Sequence, residues 1–144
     1  MKNIALISVF MLATLLVSAC GSPVGELTIQ DAWARPATAG ENSAAYFIIE
    51  NKTASDDTLM SVSSDIATAA EVHMSMADAN GVMSMQMQEA VTIPAGEQVE
   101  FKPGGLHVMF VNLTRDLKPG EAITLTLNFK ETGNVVVEVP VKAP

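Results

Sequence analysis

The chain has 144 residues, with eight basic and sixteen acidic side chains, two histidines, one cysteine and a net charge of −8 at pH 7. Such a chain lacks the basic footprint that nucleic acids and anionic membrane surfaces require, and a single cysteine excludes an internal disulfide framework. Its length suits one domain with one core and is too short for two.

Met1-Lys2-Asn3 precedes an apolar run from Ile4 to Val17, interrupted only by Ser8 and Thr14. A charged start followed by an apolar stretch too short for a comfortable membrane span reads as a signal peptide. The run ends Val17-Ser18-Ala19-Cys20, which resembles a bacterial lipobox, in which cleavage leaves the cysteine N-terminal and lipid-modified. The expected division is a signal peptide over 1–19, lipidated Cys20 with a short tether over 20–26, and one domain over 27–144. The competing reading is an ordinary secretory signal with an incidental cysteine. A lipid-bearing thiol is neither metal ligand nor nucleophile. Without residues 1–19, seven basic residues face sixteen acidic ones, a net charge of −9. Lipid, not charge, would then hold the chain to a membrane, facing the periplasm. Gly21-Ser22, with no Asp after the cysteine, favours the outer membrane in a Gram-negative cell.

Strand signals recur over 27–34, 44–51, 58–63, 69–76, 82–88, 99–101, 107–113, 122–129 and 135–141. Turn residues separate most of them, notably Asn80-Gly81, Pro94-Ala95-Gly96, Pro119-Gly120 and Thr132-Gly133-Asn134. Many short strands with regular turns predict an all-β antiparallel sandwich or barrel. Ile123, Leu125, Leu127 and Phe129 alternate with polar residues, the pattern of a strand with one buried face. Trp33, Tyr46 and Phe47 are expected to supply bulky core members of the N-terminal half.

Both histidines keep company with thioethers. His107 and Met109, after Pro103-Gly104-Gly105, lie two apart and point to one face of a strand. His73 heads a cluster with Met74, Met76, Met83, Met85 and Met87. Imidazole beside uncharged sulfur suits Cu(I) and suits Mg²⁺, Ca²⁺ or phosphate poorly. Methionine is also an ordinary core filler, but Met83-Ser84-Met85-Gln86-Met87-Gln88 alternates thioethers with polar residues, unlike a core strand.

The hairpin between His73 and Met87 admits two registers. A two-residue Asn80-Gly81 turn sets Met76 opposite Met85 and turns His73 to the other face. A five-residue loop over 77–81 sets His73 directly across from Met85, which a mixed His/Met site would need.

The spacing resembles a specific family. His73-Met74, ten residues, Met85, twenty-one residues, then His107-Val108-Met109 is similar to the H(M)x10Mx21HxM signature of the PCu(A)C periplasmic copper chaperones. Asp31-Ala32-Trp33-Ala34-Arg35-Pro36, Ala45-Tyr46-Phe47 and Pro103-Gly104-Gly105 look like that family as well. The resemblance implies a cupredoxin-like Greek-key β-sandwich binding Cu(I) through His73, Met85, His107 and Met109. Apart from the resemblance, Met74, Met76, Met83 and Met87 are expected either to form an outer shell that catches or hands over copper or to fill and shield the site. The resemblance also implies a copper-accepting partner such as a cytochrome oxidase subunit or another copper chaperone. No enzyme is expected, since no Ser/His/acid spacing stands out and His73 and His107 serve better as ligands than as bases. The chain ends Val141-Lys142-Ala143-Pro144, without the His- and Met-rich tail that gives some members a second site.

Neutral imidazole and thioether ligands would let copper leave by ligand exchange to a partner with thiolates. A blue-copper centre needs a Cys thiolate, and Cys20 is committed to lipid. The rival readings are a lipoprotein that sequesters copper for resistance and a structural lipoprotein without metal.

Overall fold

The computed structural model describes residues 25–143; the expected signal peptide and Cys20 lie outside the described residues. The strands are β1 (Leu27–Ala34), β2 (Ser43–Asn51), β3 (Asp57–Ser63), β4 (Ala67–Ala77), β5 (Met83–Met87), β6 (Val91–Ile93), β7 (Gln98–Phe101), β8 (Leu106–Leu113), β9 (Ala122–Phe129) and β10 (Gly133–Pro140). One sheet has the order β1-β2-β7-β8-β4-β5 and the other β10-β9-β3-β6. The chain crosses between them repeatedly, which makes the expected Greek-key sandwich. Of these strands, β6 was not expected. Val91-Thr92-Ile93 is short and ends at Pro94, and it becomes a strand by pairing with Asp57–Leu59 of β3.

The core lies between the sheets. Phe47, Phe101, Phe110, Phe129, Ile49, Leu125, Leu127 and Val108 are fully buried there, and the Phe47 and Phe101 rings stack with centroids 4.5 Å apart. The alternation in β9 buries Ile123, Leu125, Leu127 and Phe129, as expected.

Trp33 departs from expectation, and Tyr46 is buried as expected but on the outer face of its sheet rather than in the core cluster. From Leu27 and Ile29, simple alternation would carry Trp33 inward. Asp31 instead adopts a positive φ of 51°, and the register of β1 on β2 slips by one residue between Gln30 and Trp33. This bulge turns Ala34 into the core and Trp33 out of it, because a one-residue slip exchanges the two faces. Trp33 packs on Tyr46, its partner across the strands, with centroids 4.7 Å apart. Both rings therefore lie on the sheet face that points away from the core, while Phe47 takes the core position.

Buried polar groups pin the loops. The fully buried Asn51 amide donates to the carbonyls of Ser55 and Ile93, and its oxygen accepts from the Thr53 amide and hydroxyl. Asp57, also buried, accepts from the Thr58, Glu131 and Thr132 amides and from the Thr132 hydroxyl, clamping the β9–β10 turn to the start of β3.

Candidate metal centre

The two histidines meet on the outer face of the six-stranded sheet. β4 and β8 pair so that His73 lies opposite His107 and Glu71 opposite Met109. Directly opposite residues share a face, so Glu71, His73, His107 and Met109 form a single patch. The rings of His73 and His107 are 5.9 Å apart between centroids, and Tyr46 stands 6.5 Å from His107.

β7 and β8 run successively along the same partner, β2. Phe101 pairs with Phe47, and Val108 with Ala45. Between them 102–105 loops out, with Gly104 at a φ of +81°, a conformation glycine adopts without a Cβ penalty. The loop re-enters with the Gly105 carbonyl aimed back at the sheet, where it accepts from the Ser75 amide at 3.1 Å. The same oxygen accepts from His107 Nδ1 at 3.0 Å. A carbonyl only accepts, so Nδ1 carries the proton and neutral His107 keeps its lone pair on Nε2.

His73 has the opposite tautomer. Its Nε2 lies 2.8 Å from Glu71 Oε2; against an ionised carboxylate this nitrogen donates, leaving the lone pair on Nδ1. That atom is buried and makes no hydrogen bond. An orphaned buried acceptor costs about 1–3 kcal/mol and is compensated when it binds a metal. Each imidazole thus has one nitrogen fixed by a neighbour and one free to ligate, the arrangement that orients metal-binding histidines. Among the described residues, no three His, Cys, Asp or Glu side chains gather into a metal-binding group; the further soft donors on this face are thioethers.

The hairpin register decides which thioethers can. β5 pairs with β4 so that Met87 faces His73, Met85 faces Ser75 and Met83 faces Ala77. Neither anticipated register forms. The loop is 78–82, one residue later than the anticipated five-residue loop, because the Asp78 carboxylate accepts from the Asn80 and Val82 amides at 2.8 and 2.9 Å. Met85 is consequently diagonal to His73 rather than opposite it, yet on the same face. The condition for a mixed site is matching face, not direct opposition. Met74 and Met76 point to the other face, apart from both histidines.

A shallow depression of about 380 Å³ brings Met85, His107, Met109, Tyr46, Ser75 and Arg35 together. The short Ser75 side chain leaves the space over which Met85 can reach towards His107. The histidines are well covered, His107 being 6% exposed, whereas Met85 is 62% exposed. The methionines of β5 are therefore not core: Met83, Met85 and Met87 all lie on an exposed edge strand.

Comparison with known proteins agrees with this fold. The family model described as "Putative lipoprotein LpqE-like" matches residues 27–141. The chain belongs to the LpqE-like family. Within reach of this family, "Putative lipoprotein Lxx21020" of Leifsonia xyli subsp. xyli (strain CTCB07) is 29% identical over 123 residues, covering 85% of this chain and 73% of that one. The copper-bound PCuAC domain from PmoF2 superposes with a TM-score of 0.69 at 27% identity, over 84% of this chain and 96% of that domain. The solution structure of CuI-DR1885 from Deinococcus radiodurans gives 0.61 at 27% identity, over 85% and 83%. This LpqE-like chain thus has the fold of the PCuAC domains, as the sequence resemblance implied.

Glu71, Ser75 and Asp78 were not singled out from the sequence. Glu71 lies two residues before His73, hence on its face, so strand parity alone could have found it. Ser75 and Asp78 matter only through the register.

Proposed function

We propose that this lipoprotein-family chain is a Cu(I) carrier, with His73, Met85, His107 and Met109 as ligands, that hands its metal to an acceptor by ligand exchange. The observation that carries the reading is the pair of facing imidazoles, each with one ring nitrogen held by a neighbour and one left free, on a face shared with Met85 and Met109. The copper-bound state of the PCuAC relatives supports it. Soft, uncharged donors select Cu(I) and need no deprotonation.

Delivery rather than storage is supported by the asymmetry of the site. Buried His107 and partly buried His73 hold the floor while exposed Met85 closes the edge, so one ligand can swing away without disturbing the core. An acceptor thiolate can then replace it. The acceptor is a copper-requiring protein such as a cytochrome oxidase subunit or another copper chaperone. Cys20 holds the chain by lipid to an envelope membrane, the outer one in a Gram-negative cell, facing the periplasm.

Cu(I) titration under anaerobic, reducing conditions against a competing chelator tests the site, alongside a Met85→Ala, Met109→Ala double variant. One tight equivalent in the parent, lost in the variant, is expected. Equal weak binding by both would leave a metal-free structural lipoprotein. Loss of oxidase assembly on gene deletion is expected for delivery, and copper sensitivity alone would instead indicate sequestration.

A further inference from the structure

A second thioether cluster lies on the other side of His73. β5 stops at Met87, leaving the β4 edge at Ala70–Val72 to face β3 of the other sheet, and this gap forms a depression lined by Met60, Met87, Glu71 and Glu89. Met60 is there because β3 is bulged. Its register on β9 slips between Leu59 and Ser61, so Leu59 and Val62 stay in the core while Met60, the extra residue, is turned outward. Bulges re-aim side chains in this way. Met60 and Met87 are 46% and 55% exposed, so neither serves as core filling.

The geometry points to this depression as a second, weaker Cu(I) site formed by Met60 and Met87, an entry or exit station beside the His73 centre. This rests on the copper-carrier reading. Two thioethers from different sheets supply soft donors, and the Glu71 and Glu89 carboxylates offset the charge of the ion, which the neutral thioethers do not. His73 lines neither depression, but strand register sets it between residues of the two. In register it has His107 on one side and Met87 on the other, and its Nε2 is held by Glu71, which lines the second depression. An ion leaving the first depression over His73 would meet Met87 next. No change of oxidation state is involved: Cu(I) moves as a cation from one set of neutral donors to another.

The test is Cu(I) titration of the purified full-length protein, in detergent, with ¹³C-labelled methionine methyl groups assigned by single Met→Leu variants. The Met85 and Met109 methyl signals are expected to move during the first equivalent, and those of Met60 and Met87 during the second. A Met60→Leu, Met87→Leu variant, which keeps side-chain bulk and both histidines, should retain the first equivalent and lose the second. Met60 and Met87 signals that stay fixed through two equivalents, or a second equivalent undiminished in that variant, overturn the second site alone. If the Met85 and Met109 signals also stay fixed, the copper-carrier reading itself falls.

Discussion

Glu71→Ala isolates the part of the site that acts on copper through another residue. Glu71 Oε2 holds His73 Nε2 at 2.8 Å, fixing the ring so that buried Nδ1 presents its lone pair. Removing the carboxylate frees the ring to rotate and to exchange tautomers, so part of the population offers a protonated nitrogen. Loss of such an orienting partner typically weakens metal binding about 10–100-fold, or about 1.4–2.7 kcal/mol. The Glu71 side chain is 36% exposed, where solvent screens the interaction, so a loss of about 10–30-fold is expected. Folding should change little, because the carboxylate leaves no core cavity. Glu71→Gln retains an acceptor oxygen and should recover most of the affinity. Competition titration gives the affinities, and ¹⁵N shifts of the His73 ring give the tautomer. Parent-like copper affinity in Glu71→Ala, or a parent protein with its proton on Nδ1, would refute the reasoning.

The remaining predictions concern the frame around the site. Burial of the Asp57 carboxyl opposes its ionisation, but the Thr132 hydroxyl and the Glu131, Thr58 and Thr132 amides outweigh this and hold it below the usual aspartate range. Asp57→Ala should cost about 2–4 kcal/mol in urea denaturation at pH 7. Because the folded value is depressed, this stabilisation is present above the ordinary aspartate pKa of about 3.9. It fades as pH falls through the lowered folded value, so the difference between parent and variant should shrink in acid; an undiminished difference would count against the mechanism. Asp31→Val should cost about 1–2 kcal/mol, since a β-branched residue resists positive φ, and should shift the fluorescence of Trp33, the only tryptophan. Asp31→Gly should preserve both the bulge and the emission. Ser75→Leu fills the space between Met85 and His107 and should weaken Cu(I) binding with little change in melting temperature, measured on the same samples.

Some of the site was legible because it depends on spacing along one strand. His107 and Met109 share a face for any strand, since side chains alternate with a fixed period of two, and Glu71 and His73 do so for the same reason. The all-β class was readable from alternation in Ile123–Phe129 and from the turn residues that divide the chain. Register between strands was not readable in this way. The β4–β5 hairpin turned on one carboxylate, Asp78, which captures two amides and moves the loop by one residue and the register by two; this keeps Met85 on the face of His73, whereas a register slip of a single residue would have turned it away.

The amino-acid sequence alone determined the soft donor set, its spacing and the alternating strands that carry it, because these follow from residue chemistry and the local geometry of an extended chain. Only the tertiary structure decided that Met85 and Met87 share the face of His73, that Trp33 and Tyr46 turn to the face that carries the histidines, and that Met60 of the other sheet lines one depression with Met87. Those outcomes rest on two bulges and one loop register. Each is settled by how a residue such as Asp31, Met60 or Asp78 satisfies its backbone and packing against strands distant in sequence, so no local pattern can declare it.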